Sequence, residues 1–339
     1  MQMYEKFGTW PRKVGKIWLF GKRFVLLQLP MKTFYYPDCL RLDGGFAATI
    51  GFFDGVHRGH RFLIARLKEE AGRRGLRPMV VTFERHPRQV VQPEWQPRLL
   101  STLEEKCRLL ALTGIDTLVV LRFDTAMAGL SAREFMGEVL VRHLGVQLLL
   151  TGYDNRFGHN RQEGFADYVD YGRELGLEVV GCQPFMSSPR ISSSFVRQLL
   201  DEGRVEEAND CLGYPYIICG RVGHGQQIGR TMGFPTANLE MDDSQKLIPR
   251  VGAYAVMASI DGGEPLRGMT NIGLRPTFDG RRLTLETHLL DATGDFYDKP
   301  ISISLMARLR DERTFASAEE LACQLEADRR ETVNKLKKL

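Results

Sequence analysis

A change of pattern near residue 213 limits the fold more than any other feature of the chain. Before it, apolar runs of strand length at Phe46–Phe53, Met79–Phe83, Thr117–Phe123, Val146–Gly152 and Leu177–Cys182 alternate with segments of helical periodicity. Strands separated by helices need crossover connections, and these build a parallel sheet covered on both faces. His60–Arg74 reads as one such helix, with Glu69/Arg73 and Glu70/Arg74 spaced to pair along it. Ser131-Ala-Arg-Glu134 is a capping box for a helix running to His143, with Gly145 just beyond. After residue 213, strand-like stretches follow one another directly: Tyr216–Val222, Ala253–Ile260, Leu266–Ile272, Leu283–Leu290 and Ile301–Leu309. Turn signals such as Asp261-Gly262-Gly263, Asp279-Gly280 and Thr293-Gly294 separate them, the grammar of an antiparallel barrel or sandwich. A last helix starts at the capping box Ser317-Ala-Glu-Glu320 and runs into Lys335–Lys338. We expect an α/β parallel-sheet domain over residues 31–212, then an antiparallel β-barrel domain with a C-terminal helix over 213–339.

A chain of 339 residues, 43% hydrophobic, has material for two cores. The net charge of +4, from 46 basic and 42 acidic residues, is too small and too dispersed to point to nucleic acid. Six cysteines are scattered, with no Cys-x-x-Cys pair, which suggests buried thiols in a reducing cytoplasm. No apolar run approaches the roughly 20 residues that span a membrane. Residues 1–30 form a basic leader of uncertain status: Lys6, Arg12, Lys13, Lys16, Lys22 and Arg23 stand against Glu5 alone. Lys22 and Arg23 interrupt the apolar stretch Ile17–Leu29, unlike a signal peptide. An organelle transit peptide is one reading; we expect instead that translation starts at Met31.

The densest stretch of the first domain is Thr49-Ile-Gly-Phe-Phe-Asp-Gly-Val-His-Arg-Gly-His60. An apolar strand ends in Asp54-Gly55, and His57 and His60 then open a helix. Ligands of open α/β sheets bind at the carboxyl ends of strands, and a helix N-terminus there favours phosphate. Two imidazoles in that place can stabilise charge growing on a phosphoryl oxygen. The plainer reading makes them metal ligands or surface histidines. Walker A is excluded, because no Lys follows its second glycine. Further on, Ser193, Ser194 and Arg197 gather hydroxyls and a guanidinium at another helix start, as a polyphosphate clamp or as a cap with a solvated arginine. Asp154 ends the fourth apolar run, where it could bind ligand or cap a turn.

In the second domain, Gly220-Arg-Val-Gly-His-Gly-Gln-Gln-Ile-Gly-Arg-Thr-Met-Gly-Phe-Pro-Thr-Ala-Asn238 follows a strand. Spaced glycines let a backbone approach phosphates, though hairpins need them too. Thr236 and Asn238 alternate, so both oxygens could face one Mg²⁺–nucleotide. Glu286, on a strand, is either a working carboxylate or a solvated one.

These motifs together resemble a known family. His-x-Gly-His is the hallmark of nucleotidylyltransferases, and Gly51–His60 is similar to the form found in bacterial bifunctional riboflavin kinase/FAD synthetases. Thr82-Phe-Glu-Arg-His-Pro87, Gly152-Tyr-Asp-Asn-Arg-Phe-Gly158 and Ile191-Ser-Ser-Ser-Phe-Val-Arg197 resemble further elements of that family. In the second domain Gly229-Arg-Thr-Met-Gly-Phe-Pro-Thr-Ala-Asn238, Asn271-Ile-Gly-Leu-Arg-Pro-Thr277, Leu285-Glu-Thr-His-Leu-Leu-Asp291 and Leu309–Phe315 resemble its flavokinase part. Ser194 stands where the family often has Thr, and Asn155 where it often has an aromatic.

The resemblance implies an enzyme with two ATP sites, one making FMN from riboflavin and the other making FAD from FMN, both with Mg²⁺. It implies His57 and His60 as catalytic groups of adenylyl transfer, and Glu286 as general base of the kinase. Nucleotide and phosphate would lie against Gly51, Phe53, Asp54, Gly55, Gly59, Ser193, Ser194 and Arg197 in the first domain, and against Gly225, Gly229, Arg230, Gly233 and Pro235 in the second. Flavin would meet Asp154, Arg156 and Phe157 in the first domain and Asn271 and Arg275 in the second, with Thr236 and Asn238 toward the metal. The rival readings are a nucleotidylyltransferase with another phosphate acceptor, fused to a flavin-binding barrel, and a non-catalytic flavin- or RNA-binding protein. The Pro-Thr-Ala-Asn segment argues against the first, and the near-neutral charge against RNA.

Overall fold

The computed structural model describes residues 31–38, 41–152, 156–159, 162–186, 190–224, 236–241, 243–277, 280–290, 292 and 294–337. The expected contacts of Asp154, Gly225, Gly229, Arg230, Gly233 and Pro235, and the reading of the leader, lie outside these residues. The described residues divide into two compact units: one holds residues 31–197 together with Gln245–Leu247, the other residues from Gln198 to Ser244 and from Ile248 onward.

In chain order the first part contains β1 (Lys32–Tyr36), β2 (Phe46–Ile50), α1 (Arg58–Arg74), β3 (Arg77–Phe83), α2 (Pro87–Val91), α3 (Leu103–Ala111) and β4 (Thr117–Leu121). There follow α4 (Thr125–Ala128), α5 (Ala132–Glu134), β5 (Val146–Gly152), α6 (Phe165–Leu175), β6 (Glu178–Cys182), α7 (Ser193–Glu202) and α8 (Val205–Leu212). The six strands form one sheet in the order β1-β4-β3-β2-β5-β6, parallel at every junction. β2 and β4 are buried along their whole length, as strands covered on both faces must be. Ile64, Leu67 and Ala71 of α1 are buried, and this helix packs on β2, β3 and β5. Phe135, Met136, Val139, Leu140 and Tyr168 join alternate residues of β2, β3 and β4, with Val146 and Leu149 of β5, in one core cluster. The chain leaves β2 on one side through β3 and returns on its other side as β5. The crevice at the carboxyl ends of β2 and β5 is therefore the topological switch point.

Three local readings need correction. β1, an edge strand, extends the sheet beyond the five apolar runs, because Lys32–Tyr36 is short and half-exposed and gives no buried pattern. Glu69 pairs with Arg66 at 2.5 Å rather than with Arg73, which turns to Glu70 at 2.8 Å; the expected Glu70–Arg74 pair forms at 2.5 Å. The helix capped by Ser131 does form, but from Phe135 to His143 it widens into a π-helix, with Leu144 N–H donating to Val139 O at 3.0 Å. Either coil would bury Phe135, Met136, Val139 and Leu140, so the residue pattern cannot tell them apart.

The second unit is a closed barrel in the order β10-β11-β8-β7-β12-β9. Its strands are β7 (Tyr216–Gly223), β8 (Thr236–Glu240), β9 (Gly252–Ile260), β10 (Leu266–Thr277), β11 (Gly280–Leu289) and β12 (Pro300–Arg310), and α9 (Ala318–Lys337) follows. Closure leaves no free sheet edge. Alternation is clean along β12, where Ile301, Ile303, Leu305 and Ala307 point inward. β8 is a sixth strand beyond the five expected, since Pro-Thr-Ala-Asn after a glycine run reads locally as loop. α9 packs on β9, β10 and β12, and Asp328 accepts two-pronged hydrogen bonds from Arg310 at 2.8–3.0 Å. Ser317 Oγ accepts from Glu320 N–H at 3.3 Å, while the Glu320 carboxylate accepts from Ala316 N–H at 2.9 Å.

Candidate active sites

At the carboxyl end of β2 the backbone turns sharply through residues 51–57. Phe53 (φ 54) and Val56 (φ 37) adopt left-handed conformations that side chains disfavour, with Gly55 (φ 71) between them. Asp54 fastens this turn. Its carboxylate accepts from Leu100 N–H (3.1 Å), Ser101 N–H (3.0 Å), Ser101 Oγ (3.3 Å) and Arg197 Nη2 (2.5 Å). Gly55 N–H donates to Ser101 Oγ at 3.0 Å, and Ser193 Oγ donates to Asp54 O at 3.1 Å. The turn, the Leu99–Ser101 segment and the start of α7 are thus one hydrogen-bonded body.

His57 caps α1, its Nδ1 accepting from His60 N–H at 3.3 Å. An Nδ1 that accepts leaves the proton of neutral His57 on Nε2, where it can be donated. The two imidazoles stack at 3.6 Å between centroids and 17° between planes, and the Phe53 ring meets the edge of His60 at 5.2 Å. Gly59 makes room for the stack: a Cβ there would sit 3.2 Å from the His57 ring. Burial holds His57 down at about 4; its own backbone hydrogen bond opposes this and the Arg197 charge adds to it. Burial also carries His60 well below its usual range, reinforced by His57 and Lys106. Both rings are therefore neutral at pH 7, and the buried His60 Nδ1 has no hydrogen-bond partner among the described residues. Neutral N–H donors at a switch point suit phosphoryl oxygens.

Ser194 is exposed on the first turn of α7, and Ser192 Oγ accepts from Phe195 N–H at 3.2 Å. Arg197 also donates through Nε to Arg98 O at 2.7 Å, which leaves Nη1 without a partner among the described residues. Gly51 lies where a Cβ would press on the Phe53 ring at 3.1 Å. Arg156 is exposed, whereas Phe157 stacks on Tyr168 at 4.2 Å and packs against the core cluster. Residue patterns alone did not single out Ser101, His86 or Lys106. Ser101 is recruited by Asp54, 47 residues away. His86 caps α2 and stands edge-on to Phe52 at 4.6 Å, and burial holds it at about 4. Lys106 had a signal: it occupies the apolar face of α3 with Leu109 and Leu110.

In the barrel, three neighbouring strands place three polar residues side by side. Asn271 of β10 pairs in register with Glu286 of β11, which pairs with Asn238 of β8; Thr236 lies opposite His288 one step along. Leu285, Thr287 and Leu289 are buried, so the half-buried Thr236, Asn238, Asn271, Glu286 and His288 share the other face. Arg275 lies further along β10, opposite Arg282. Gly223 of β7, in register with Asn238 of β8, sits tight against the Glu240 side chain. Among the described residues no cluster of three or more His, Cys, Asp or Glu could hold a metal.

The first unit is thus an α/β nucleotide-binding fold with a polyphosphate-suited turn, and the second a barrel with a carboxylate set between amides. A family model described as FAD synthetase matches residues 41–195, and one described as riboflavin kinase matches residues 212–336. The bifunctional riboflavin kinase/FMN adenylyltransferase of Escherichia coli K12 is 43% identical over 285 residues, covering 84% of this chain and 90% of that protein. The Listeria monocytogenes enzyme of the same description is 37% identical over 310 residues, covering 91% and 96%. A crystal structure described as a macrolide-efflux protein from Streptococcus pneumoniae matches with a TM-score of 0.82 at 30% identity, covering 89% of this chain and 99% of that one. Among the described residues no helix here is long and apolar enough to cross a membrane. The chain belongs to the bifunctional riboflavin kinase/FMN adenylyltransferase family, and it is an enzyme of flavin cofactor biosynthesis.

Proposed function

We propose that the chain carries out two successive ATP-dependent steps at separate sites. In the barrel, the 5′-hydroxyl oxygen of riboflavin attacks the γ-phosphorus of ATP, its proton passes to the Glu286 carboxylate, and ADP leaves with the electron pair of the broken bond. Asn271 and Arg275 would contact the flavin, and the glycine run from Gly225 to Gly233 the nucleotide. Thr236 and Asn238 offer a hydroxyl and an amide oxygen beside Glu286, a hard donor set that fits Mg²⁺. When bound, Mg²⁺ offsets the charge of the phosphates.

In the α/β unit, a phosphate oxygen of FMN attacks the α-phosphorus of a second ATP, and diphosphate departs. His57 Nε2–H and the neutral His60 donate to the phosphoryl oxygens as charge builds. Arg197 binds the polyphosphate through its remaining nitrogen, with Ser194 beside it and Ser193 holding the turn. Asp154 and Arg156 would face the flavin. The observation that supports this reading most is the stacked, neutral histidine pair at the switch point of the sheet. ATP use and the absence of a disulfide among the five described cysteines favour a cytoplasmic setting.

The test is an end-point assay with riboflavin, ATP and Mg²⁺, separating products by chromatography with fluorescence detection. FMN followed by FAD is the expected course. FMN alone would assign the α/β unit another acceptor, and intact riboflavin would remove the kinase assignment.

A further inference from the structure

Lys106 is an ammonium where packing alone would place an apolar residue. It is 2% exposed on the inner face of α3. It donates to Phe83 O at 2.8 Å and lies 4.1 Å from the centre of the Phe52 ring. An ammonium has three donors, and no carboxylate among the described residues is within ion-pair distance of this one. Burial pushes its pKa down to about 8, opposed by Cys107 and Asp54, so it is charged at pH 7. Such a charge weakens the fold, and a methionine of similar length would fill the space without it.

What the ammonium touches is the catalytic turn. Phe52 lies between Gly51 and Phe53, and its carbonyl accepts from Thr82 Oγ1 at 3.1 Å. On the Phe52 ring the edge-on His86 follows at 4.6 Å, then Trp95 at 4.7 Å from His86, then Arg88 at 4.8 Å from Trp95. The turn needs restraint, because Phe53 and Val56 are held at positive φ, which is unfavourable for any residue with a Cβ. Asp54 restrains the end nearer α7, through Leu100, Ser101 and Arg197. The Lys106–Phe52 contact restrains the other.

We propose that Lys106 is a positioning residue for adenylyl transfer: its ammonium pins Phe52, and through Phe52 the turn that presents the stacked His57 and His60. This rests on the reading of those histidines as the adenylyl-transfer groups. The test uses the full chain and the variants K106M, K106R, F52L and K106M/F52L, assayed for FAD formation from FMN. FMN formation and the thermal midpoint are measured on the same preparations. We expect K106M to melt no lower than the parent, to keep its kinase rate, and to lose roughly 10- to 100-fold in kcat for FAD with KM for ATP little changed. K106R keeps a cation over the ring and regains part of the loss, and the double variant is no worse than the worse single one. A parental kcat in K106M, or purely additive losses, would overturn the proposal while an inactive H60A upheld the site. Full FAD formation in H60A would instead overturn the site reading and the proposal with it.

Discussion

Asp54 shows how a motif residue works through its neighbours. Its carboxylate meets four donors from two segments, Leu100–Ser101 and α7, so its place is to hold the turn and to orient Arg197. Asp54→Asn keeps the shape but weakens the Arg197 pair and sets an amide NH2 against one of the two backbone N–H donors. We expect a loss of about 3 kcal/mol, seen in denaturant unfolding followed by a probe in the α/β unit, and a fall in FAD formation with FMN formation retained. His57 makes stability depend on pH. Its folded value of about 4 lies below the ordinary 6.5, so the unfolded chain binds the proton first. Stability is full above pH 6.5 and falls as pH drops toward 4, by roughly 3 kcal/mol from this residue. His57→Gln should flatten that part of a plot of thermal midpoint against pH. A plot unchanged by the substitution would mean that His57 titrates normally.

Among the elements, α1 ties helix chemistry to the proposed adenylyl transfer most directly. Gly59 in its first turn is poor for helix stability, yet a Cβ there would displace the His57 ring. Gly59→Ala should leave the thermal midpoint unchanged or raised, by up to about 1 kcal/mol in stability, while FAD formation falls about tenfold or more. Unaltered FAD kinetics would show that the stack is not needed. At the other end of the chain, α9 is held by Arg310 and the buried Asp328, which also accepts from Gln324 Nε2 at 2.8 Å. Asp328→Ala strands the guanidinium, and we expect about 3 kcal/mol less resistance to urea, read by loss of riboflavin kinase activity. The capping boxes at Ser131 and the start of α9 were legible because a cap is a contact across three or four residues. β8 was not, because its pairing with β7 and β11 comes from distant parts of the chain.

For the molecule as a whole, two sites in two units predict separable losses. His60→Ala should abolish FAD formation and leave FMN formation intact, and Glu286→Gln should stop FMN formation while supplied FMN is still converted to FAD. Equal loss of both activities in either variant would refute separate sites. The α/β unit, the barrel after residue 213 and the His-x-Gly-His turn were legible in the sequence, because periodicity, caps and motif spacing are local and survive in a linear string. The residues now grouped around Asp54 were named only in part: Gly55, His57, His60, Ser193 and Arg197 from motifs, but not Ser101 or Lys106. The tertiary structure decided the strand order that makes β2 and β5 the switch point. It decided too the register that sets Asn238, Glu286 and Asn271 side by side, and the burial that keeps the histidines neutral. These properties arise from segments that meet only on folding, where pairing and exclusion of water depend on neighbours tens of residues away.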